Sequence, residues 1–140
     1  LAGVATAIKE TRSSVRIVAV EPESIQRYAE SRKAGKPVEV PMGATLADGL
    51  MITMTGEHTY PLIDKYVDEI VPASDEFIRK ALMEIVFKSK LLVEPSASVG
   101  VAAALQGSFK VKPGEKICFF LSGGNIDPEK LASFLPRETA

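Results

Sequence analysis

The sequence is poor in the residues that build disulfide-stapled or metal-bound proteins. It contains one cysteine, Cys118, one histidine, His58, and no tryptophan. A single cysteine excludes a disulfide within the chain and is typical of a reducing compartment, so we expect a cytoplasmic protein. One histidine and one cysteine also argue against a structural zinc site, which needs a full set of such ligands.

Long apolar runs and an excess of charge are lacking as well. No stretch approaches the roughly 20 apolar residues of a membrane span. The 17 basic side chains nearly balance the 18 acidic ones, which leaves a net charge of -1. This balance provides no basic surface for nucleic acid or an anionic membrane, so neither is expected as a partner. The 140 residues suit one domain with its own core.

What the sequence does contain is an alternation of short apolar runs with amphipathic segments. Apolar, β-branched runs predict buried strands at Val15–Val20 and within the stretches DEIVPAS, KLLVEP and KICFFL. Helical spacing and cap residues predict helices in AGVATAIKE, ESIQRYAESRKAG, PLIDKYV, SDEFIRKALMEI, SASVGVAAALQG and DPEKLASFL. This order predicts a single α/β domain over residues 1–140, with a mostly parallel sheet flanked by helices.

Some helix positions carry expectations of their own. We expect Val4, Ala7 and Ile8 on one apolar face of the first helix. Gly35 is expected to end the second helix as its C-cap. Ser74 and Asp127 are expected as N-caps of later helices. The helix after Ser74 should bury the residues that follow a helical spacing, namely Ile78, Ala81, Leu82 and Ile85.

Three polar stretches follow predicted strands: VEPES, VEPSAS and LSGGNID. Ligands of open α/β sheets bind beyond the carboxyl ends of the strands. Glu21 and Glu94 each precede a proline there, and such a carboxylate could contact a ligand or metal, or could cap a helix. Gly123 and Gly124 allow either a tight turn or the close approach of a ligand to the backbone. Residue types alone therefore predict a domain that binds a small ligand at its strand ends.

Several motifs, taken together and in order, resemble one enzyme family. The stretches LAGVATAIK, VRIVAVEPES, TLADGL, KLLVEPSASVGVAAAL and ICFFLSGGNID are similar to threonine dehydratase (threonine ammonia-lyase) and to its relative serine racemase. These are pyridoxal-phosphate (PLP) enzymes of fold type II, and the resemblance covers essentially the whole chain. It implies that residues 1–140 form most of the large domain of such an enzyme, the C-terminal part of its catalytic region.

The resemblance also implies roles for individual residues. Ser122 matches the serine that donates a hydrogen bond to the pyridine nitrogen of PLP, and Gly123 lets the backbone approach the ring. Gly49, in TLADGL, matches a residue whose backbone lies near the ring, and Glu94 lies at a strand end on the cofactor side. A serine hydroxyl stays protonated at neutral pH and so donates to a neutral nitrogen. The ring is then a weaker electron sink, which suits elimination.

Two further sets of residues follow from the same resemblance. Lys90 and Asn125 match positions that relatives use to bind a nucleotide effector. Glu21 matches the glutamate of a divalent-cation site, to which Ile25 would contribute a backbone carbonyl. The acidic residue of that site is replaced by Arg27 here, and a guanidinium cannot ligate a cation. Glu21 is therefore a candidate metal ligand, but Arg27 at the third position argues against a metal site.

The catalytic lysine of the family has no counterpart in these motifs. The resemblance places the lysine that bonds PLP covalently, and the glycine-rich loop that holds its phosphate, upstream of Leu1. We therefore expect residues 1–140 to be a fragment without a catalytic residue, inactive without the N-terminal half that would complete it. Its exposed apolar faces favour self-association, and relatives are usually homo-oligomers.

The resemblance implies conversion of L-threonine to 2-oxobutanoate and ammonia, with L-serine to pyruvate as a side reaction. A role in isoleucine biosynthesis and one in threonine catabolism both remain open. Within the family, a serine racemase-like enzyme or a hydroxyaspartate dehydratase is the alternative. From another class, a non-catalytic module that binds an effector at its strand ends is the alternative.

Overall fold

The computed structural model describes residues 1–134, which form an α/β arrangement of helices around a small parallel sheet. The helices and strands are α1 (Ala2–Thr11), β1 (Val18–Pro22), α2 (Arg27–Ala34), α3 (Tyr60–Tyr66), β2 (Glu69–Ala73), α4 (Asp75–Glu84), α5 (Pro95–Gln106) and α6 (Pro128–Ser133). A 3-10 turn at Asp48–Leu50 interrupts the loop between α2 and α3, and a π-helical turn at Ile85–Ser89 extends α4. This architecture confirms the predicted fold class.

The sheet consists of β1 and β2, which run parallel with Val18 opposite Glu69 and Pro22 opposite Ala73. The sequence predicted the first strand at Val15–Val20, three residues earlier than it begins. The strand begins where β2 supplies a partner, because a strand is defined by the ladder that it shares with a neighbour. Val15 lies before that point and is exposed.

Two predicted strands, in KLLVEP and KICFFL, do not form within residues 1–134. A single backbone hydrogen bond among the described residues joins the ends of these stretches, from the Glu94 N–H to the Gly123 carbonyl at 3.1 Å. Apolar composition is not sufficient for a strand without a hydrogen-bonded neighbour. Val93 is buried, but most of the apolar residues of these stretches are exposed, namely Leu91, Leu92, Ile117, Cys118, Phe119 and Phe120.

Helices cover both faces of the sheet, as the alternation of side chains along β1 requires. Val18 and Val20 pack with the cluster that includes Ile78 of α4 and the alanines of α5. Ala19 faces the other way and packs with Ala2, Ala5, Ile17, Ile63 and Val67 of α1, α3 and their neighbours. The small residues Ala102 and Ala103 are fully buried, which confirms that α5 packs closely as its composition predicted.

The helices themselves agree well with the predictions, with one exception in α1. Val4 and Ala7 are exposed, whereas Ala2 and Ala5 are buried, so the apolar face of α1 was predicted wrongly except at Ile8. The small side chains of Ala2 and Ala5 face the core because α1 packs directly against α3. Along α4 and the first residue of the π-helical turn, all four predicted positions are buried, namely Ile78, Ala81, Leu82 and Ile85.

The predicted caps lie at the helix ends, although two of them act through the backbone alone. Gly35 ends α2 with a left-handed φ of 67°, as predicted. Ser74 and Asp127 precede α4 and α6 but make no side-chain cap hydrogen bond. Leu135, the last residue of the final predicted helix, lies outside the described residues. No helix within residues 1–134 is long and apolar enough to cross a membrane.

Candidate functional site

The side chain of Glu94 lies against two glycines that the sequence singled out. A Cβ atom placed on Gly123 would lie 2.5 Å from Glu94 Oε1 and 2.6 Å from Cδ. A Cβ atom on Gly49 would lie 3.6 Å from the same oxygen. Contacts below 3.0 Å are not tolerated by real Cβ atoms, so position 123 requires glycine while Glu94 keeps its place. Tertiary structure thus brings together residues 49, 94 and 123.

Ser96 completes this cluster and was not singled out from the sequence. Its Oγ accepts a hydrogen bond from the Gly49 N–H at 2.9 Å, which ties the 3-10 turn to the first turn of α5. A Cβ atom on Gly49 would lie 2.8 Å from the same oxygen. The only local signal for Ser96 was a small polar residue just inside a helix that follows a strand-end glutamate.

The LSGGNID loop runs beside the residues that lead into α5. The Asn125 N–H donates to Glu94 Oε2 at 3.1 Å, and the Glu94 N–H donates to the Gly123 carbonyl. A Cβ atom on Gly124 would lie 2.9 Å from the Leu92 carbonyl oxygen. Ser122 is exposed at the start of this loop, so its hydroxyl is free to meet a ligand. Glu94 therefore fixes the course of the loop through its side chain and its backbone.

A salt bridge closes the site on the side of α6. Lys130 Nζ lies 2.5 Å from Asp48 Oδ2, and the other Asp48 oxygen accepts the Gly49 N–H at 3.0 Å. The Lys130 ammonium, hydrogen-bonded to Asp48, holds the pKa of that carboxyl below its ordinary value. Asp48 and Lys130 are 82 positions apart along the chain, so their pairing is a product of the tertiary structure.

Lys90, the second effector candidate, is exposed at the end of the π-helical turn. It is the only non-glycine residue with a positive φ, 59°, in the described part of the chain. The left-handed backbone at Lys90 redirects the chain from α4 toward the Leu91–Glu94 segment. Asn125 joins the cluster through its backbone N–H, whereas effector binding by either side chain stays a prediction.

Glu21 lies in a different environment from that of Glu94. It is only 3% exposed and accepts hydrogen bonds from the backbone N–H groups of Tyr28, at 2.9 Å, and Ala29, at 3.0 Å. Arg27 Nη1 lies 4.0 Å from its Oε1. Burial raises the pKa of the Glu21 carboxyl, and the two N–H groups and the guanidinium oppose that rise.

This geometry makes Glu21 an acceptor for the first turn of α2. Carboxylates are favoured there because the first N–H groups of a helix lack partners within the helix. Ile25, the proposed carbonyl donor to a metal, has a fully buried side chain. Residues 1–134 contain no group of three or more His, Cys, Asp and Glu side chains placed to hold a metal ion.

Comparison with known proteins assigns the family. The model of the pyridoxal-phosphate dependent enzyme family matches residues 1–123. The chain is 39% identical to the L-threonine ammonia-lyase of Geobacter sulfurreducens over 137 residues, which cover 98% of this chain and 34% of the relative.

Solved structures show the same likeness. Maize serine racemase superimposes with a TM-score of 0.85 and 37% identity, over 94% of this chain and 41% of that one. The processed form of threonine deaminase isoform 2 from Solanum lycopersicum superimposes with a TM-score of 0.85 and 30% identity, over 95% and 39%. The chain thus spans between a third and a little over two fifths of the length of these relatives. By its sequence and its fold, it belongs to the pyridoxal-phosphate dependent enzyme family.

Proposed function

We propose that the full-length protein is a PLP-dependent ammonia-lyase that converts L-threonine to 2-oxobutanoate and ammonia, with L-serine to pyruvate as a side reaction. The observation that carries this proposal is the 39% identity to an L-threonine ammonia-lyase over nearly the whole chain. The geometry of the Gly49–Glu94–Gly123 cluster supports a ligand site at this edge of the fold.

The cluster fits a planar cofactor. Gly49 and Gly123 lie against the Glu94 side chain, and the exposed Ser122 is the neighbour of Gly123 along the chain, so backbone lines much of this edge. When bound, PLP supplies an electron sink for the carbanion that forms at the α-carbon of the substrate. The Ser122 hydroxyl would donate a hydrogen bond to its ring nitrogen, and it cannot supply a proton to that nitrogen at neutral pH. The backbones of Gly49 and Gly123 would lie along the ring.

Glu94 would hold this arrangement in place. Its carboxylate accepts the Asn125 N–H and therefore orients the loop that presents Ser122. Its Oε1 lies next to the space that a side chain at position 49 or 123 would fill. We propose that Glu94 is a positioning residue for the loop.

The proposal is tested by assaying the purified full-length protein for 2-oxobutanoate with L-threonine and PLP. Formation of 2-oxobutanoate that depends on PLP is expected, and its absence would contradict the proposal. Ser122→Ala should lower PLP affinity about tenfold through the lost hydrogen bond to the ring nitrogen. Ser14→Ala, at an exposed position in a turn near the start of the chain, is the matched control and should leave the affinity unchanged.

Racemisation is the second candidate, because maize serine racemase is as similar in fold as the threonine deaminase. Chiral analysis of the same reaction with L-serine separates the two. Pyruvate in large excess over D-serine supports the lyase, and D-serine in excess supports the racemase. The same assay with L-threo-3-hydroxyaspartate tests the hydroxyaspartate dehydratase. A protein that binds PLP but turns over none of these substrates would favour a non-catalytic effector module.

The remaining assignments are proposals on the same basis. We propose a cytoplasmic homo-oligomer; size-exclusion chromatography with light scattering tests the oligomeric state, and cell fractionation tests the compartment. We also propose that the lysine that binds PLP covalently lies outside residues 1–140. Borohydride reduction of the PLP-loaded full-length protein, followed by peptide mapping, locates that lysine. An adduct on Lys9, Lys88 or Lys90 would contradict this assignment.

A further inference from the structure

Arg27 connects the start of α2 to the loop that carries Gly49. Its side chain is 10% exposed, so the guanidinium is largely removed from water. Nη1 donates to the backbone carbonyls of Leu50 at 3.2 Å and Ile52 at 3.3 Å. Burying a charged group is costly unless polar partners surround it, and these carbonyls are such partners. The bonds reach across 23 and 25 residues of sequence.

The guanidinium is held from its other side as well. Glu21 Oε1 lies 4.0 Å from Nη1, and Glu21 is itself fixed by the N–H groups of Tyr28 and Ala29. The ring of Tyr28 lies under the guanidinium, 4.8 Å from its Cζ to the ring centroid. An arginine that is constrained by a carboxylate, a ring and two carbonyls acts as a rigid connection rather than as a flexible surface side chain.

Arg27 holds the loop that contains Gly49, so it helps to set the position of Gly49. The Gly49 N–H donates to Ser96 Oγ of α5, which anchors the turn from one side. The Leu50 carbonyl comes next along the chain, and Arg27 anchors it from the side of β1 and α2. Gly49 therefore lies between two anchors that belong to different helices, Ser96 of α5 and Arg27 of α2.

We propose that Arg27 is a positioning residue for the cofactor site, which acts by holding the backbone of residues 48–52 and thereby the Gly49 edge of the site. The proposal rests on the proposed function only in its claim that Gly49 borders the cofactor. The effect of Arg27 on the loop itself is independent of that claim. Arg27 does not contact the cofactor and is not a catalytic residue.

The test compares Arg27→Met with Arg32→Met in the full-length protein. Arg32 is a matched control because it also lies on α2 and donates to backbone carbonyls, of Ile63 at 3.1 Å and Val67 at 2.9 Å. Those carbonyls belong to α3 and its C-cap residue, and not to residues 48–52. Both variants lose similar bonds, but only Arg27→Met releases the loop.

The first readout is amide hydrogen exchange in residues 48–52 without added PLP. Arg27→Met should accelerate that exchange about tenfold or more, because two hydrogen bonds to a charged donor are lost, whereas Arg32→Met should leave it unchanged. Equal exchange in the two variants would overturn the proposal. This exchange measurement does not depend on lyase activity. A failure of the proposed function can therefore be told apart from a failure of the proposal for Arg27.

The second readout is the affinity for PLP, followed by its absorbance on titration. Arg27→Met should weaken binding about tenfold, with no such change in Arg32→Met. Arg27→Lys keeps the charge and can reach one carbonyl, so it should restore part of the affinity and of the protection from exchange. If Arg27→Met does not fold, Arg27→Lys carries both readouts, and wild-type exchange together with wild-type affinity in that variant would overturn the proposal.

Discussion

The tripeptide Val-Glu-Pro occurs twice, at 20–22 and 93–95, and its two glutamates have opposite surroundings. Glu21 is 3% exposed, beneath the first turn of α2 and beside Arg27. Glu94 is half-buried, borders two glycines and accepts a hydrogen bond from a distant loop. The comparison teaches that the same local sequence before a helix becomes a buried local anchor or a half-buried contact between distant segments, according to what packs on it.

The two glutamates differ in the groups that donate hydrogen bonds to their carboxylates. Glu21 accepts backbone N–H groups only seven and eight residues away, so its role is local and its neighbours are fixed by α2. Glu94 accepts the Asn125 N–H, 31 residues away, and the residue as a whole is only half-buried. A buried carboxylate with local partners stabilises the fold, whereas a partly open one remains able to meet a ligand.

The largest expected effect is on stability. Glu21→Ala should lower the free energy of unfolding by about 3 kcal/mol, because it leaves Arg27 as an unpaired buried charge and two N–H groups without acceptors. Glu94→Ala should cost about 1 kcal/mol or less, since the carboxylate is partly solvated. Urea unfolding of the three proteins measures both differences. Equal losses would remove the distinction between the two glutamates.

The next effect concerns the ligand site. Gly123→Ala should lower PLP affinity about tenfold or more, because its Cβ would occupy the space of the Glu94 carboxylate. The matched control is Gly3→Ala in α1, where a Cβ meets nothing within 4 Å and alanine favours the helix. Absorbance titration with PLP checks both. An unchanged affinity for PLP in Gly123→Ala would indicate that the Glu94 carboxylate does not contribute to the cofactor site.

A smaller effect should appear in the pH dependence of stability. Burial raises the pKa of Glu21 in the folded state, so its contribution is fully present below the unfolded pKa and falls as pH rises through the folded one. The stability of the wild type relative to Glu21→Gln should therefore decrease as the pH rises above the ordinary glutamate pKa of about 4. Urea midpoints across this range test the sign, and an increase would contradict it.

The smallest expected effect is that of metal removal. The Glu21 carboxylate already accepts two N–H groups and faces Arg27, so we do not expect it to bind a cation. Dialysis against EDTA should leave the melting temperature unchanged, and added Mg²⁺ or Ca²⁺ should not raise it. A rise that disappears in Glu21→Gln would restore Glu21 as a metal ligand.

Helix positions were predictable because their signals are local. Gly35, Pro61 and Pro128 lie at helix ends where their backbone preferences place them, and α4 buries the face that its spacing indicates. The face of α1 was not predictable, because Val4 and Ala5 are both apolar and only contact with α3 decides between them. The strands in KLLVEP and KICFFL were overpredicted for a similar reason, since a strand depends on a partner that its own residues do not specify.

Some residues of the candidate site could likewise be found from the sequence, and others could not. Gly49, Glu94, Ser122 and Gly123 were singled out by resemblance, and the structure places three of them in contact, although their roles toward PLP stay predictions. Ser96, Lys130 and the loop-holding bonds of Arg27 were not singled out from the sequence. Each of these depends on a partner at least 23 residues away, which no local pattern encodes.

The sequence by itself determined the helices, the α/β class and the family, because caps, periodicity and ordered motifs are properties of neighbouring residues. Only the tertiary structure decided which Val-Glu-Pro glutamate is buried, which glycine must remain glycine, and which arginine holds the loop of Gly49. These outcomes depend on contacts between distant segments, where burial and hydrogen-bond partners set the role of a charged group.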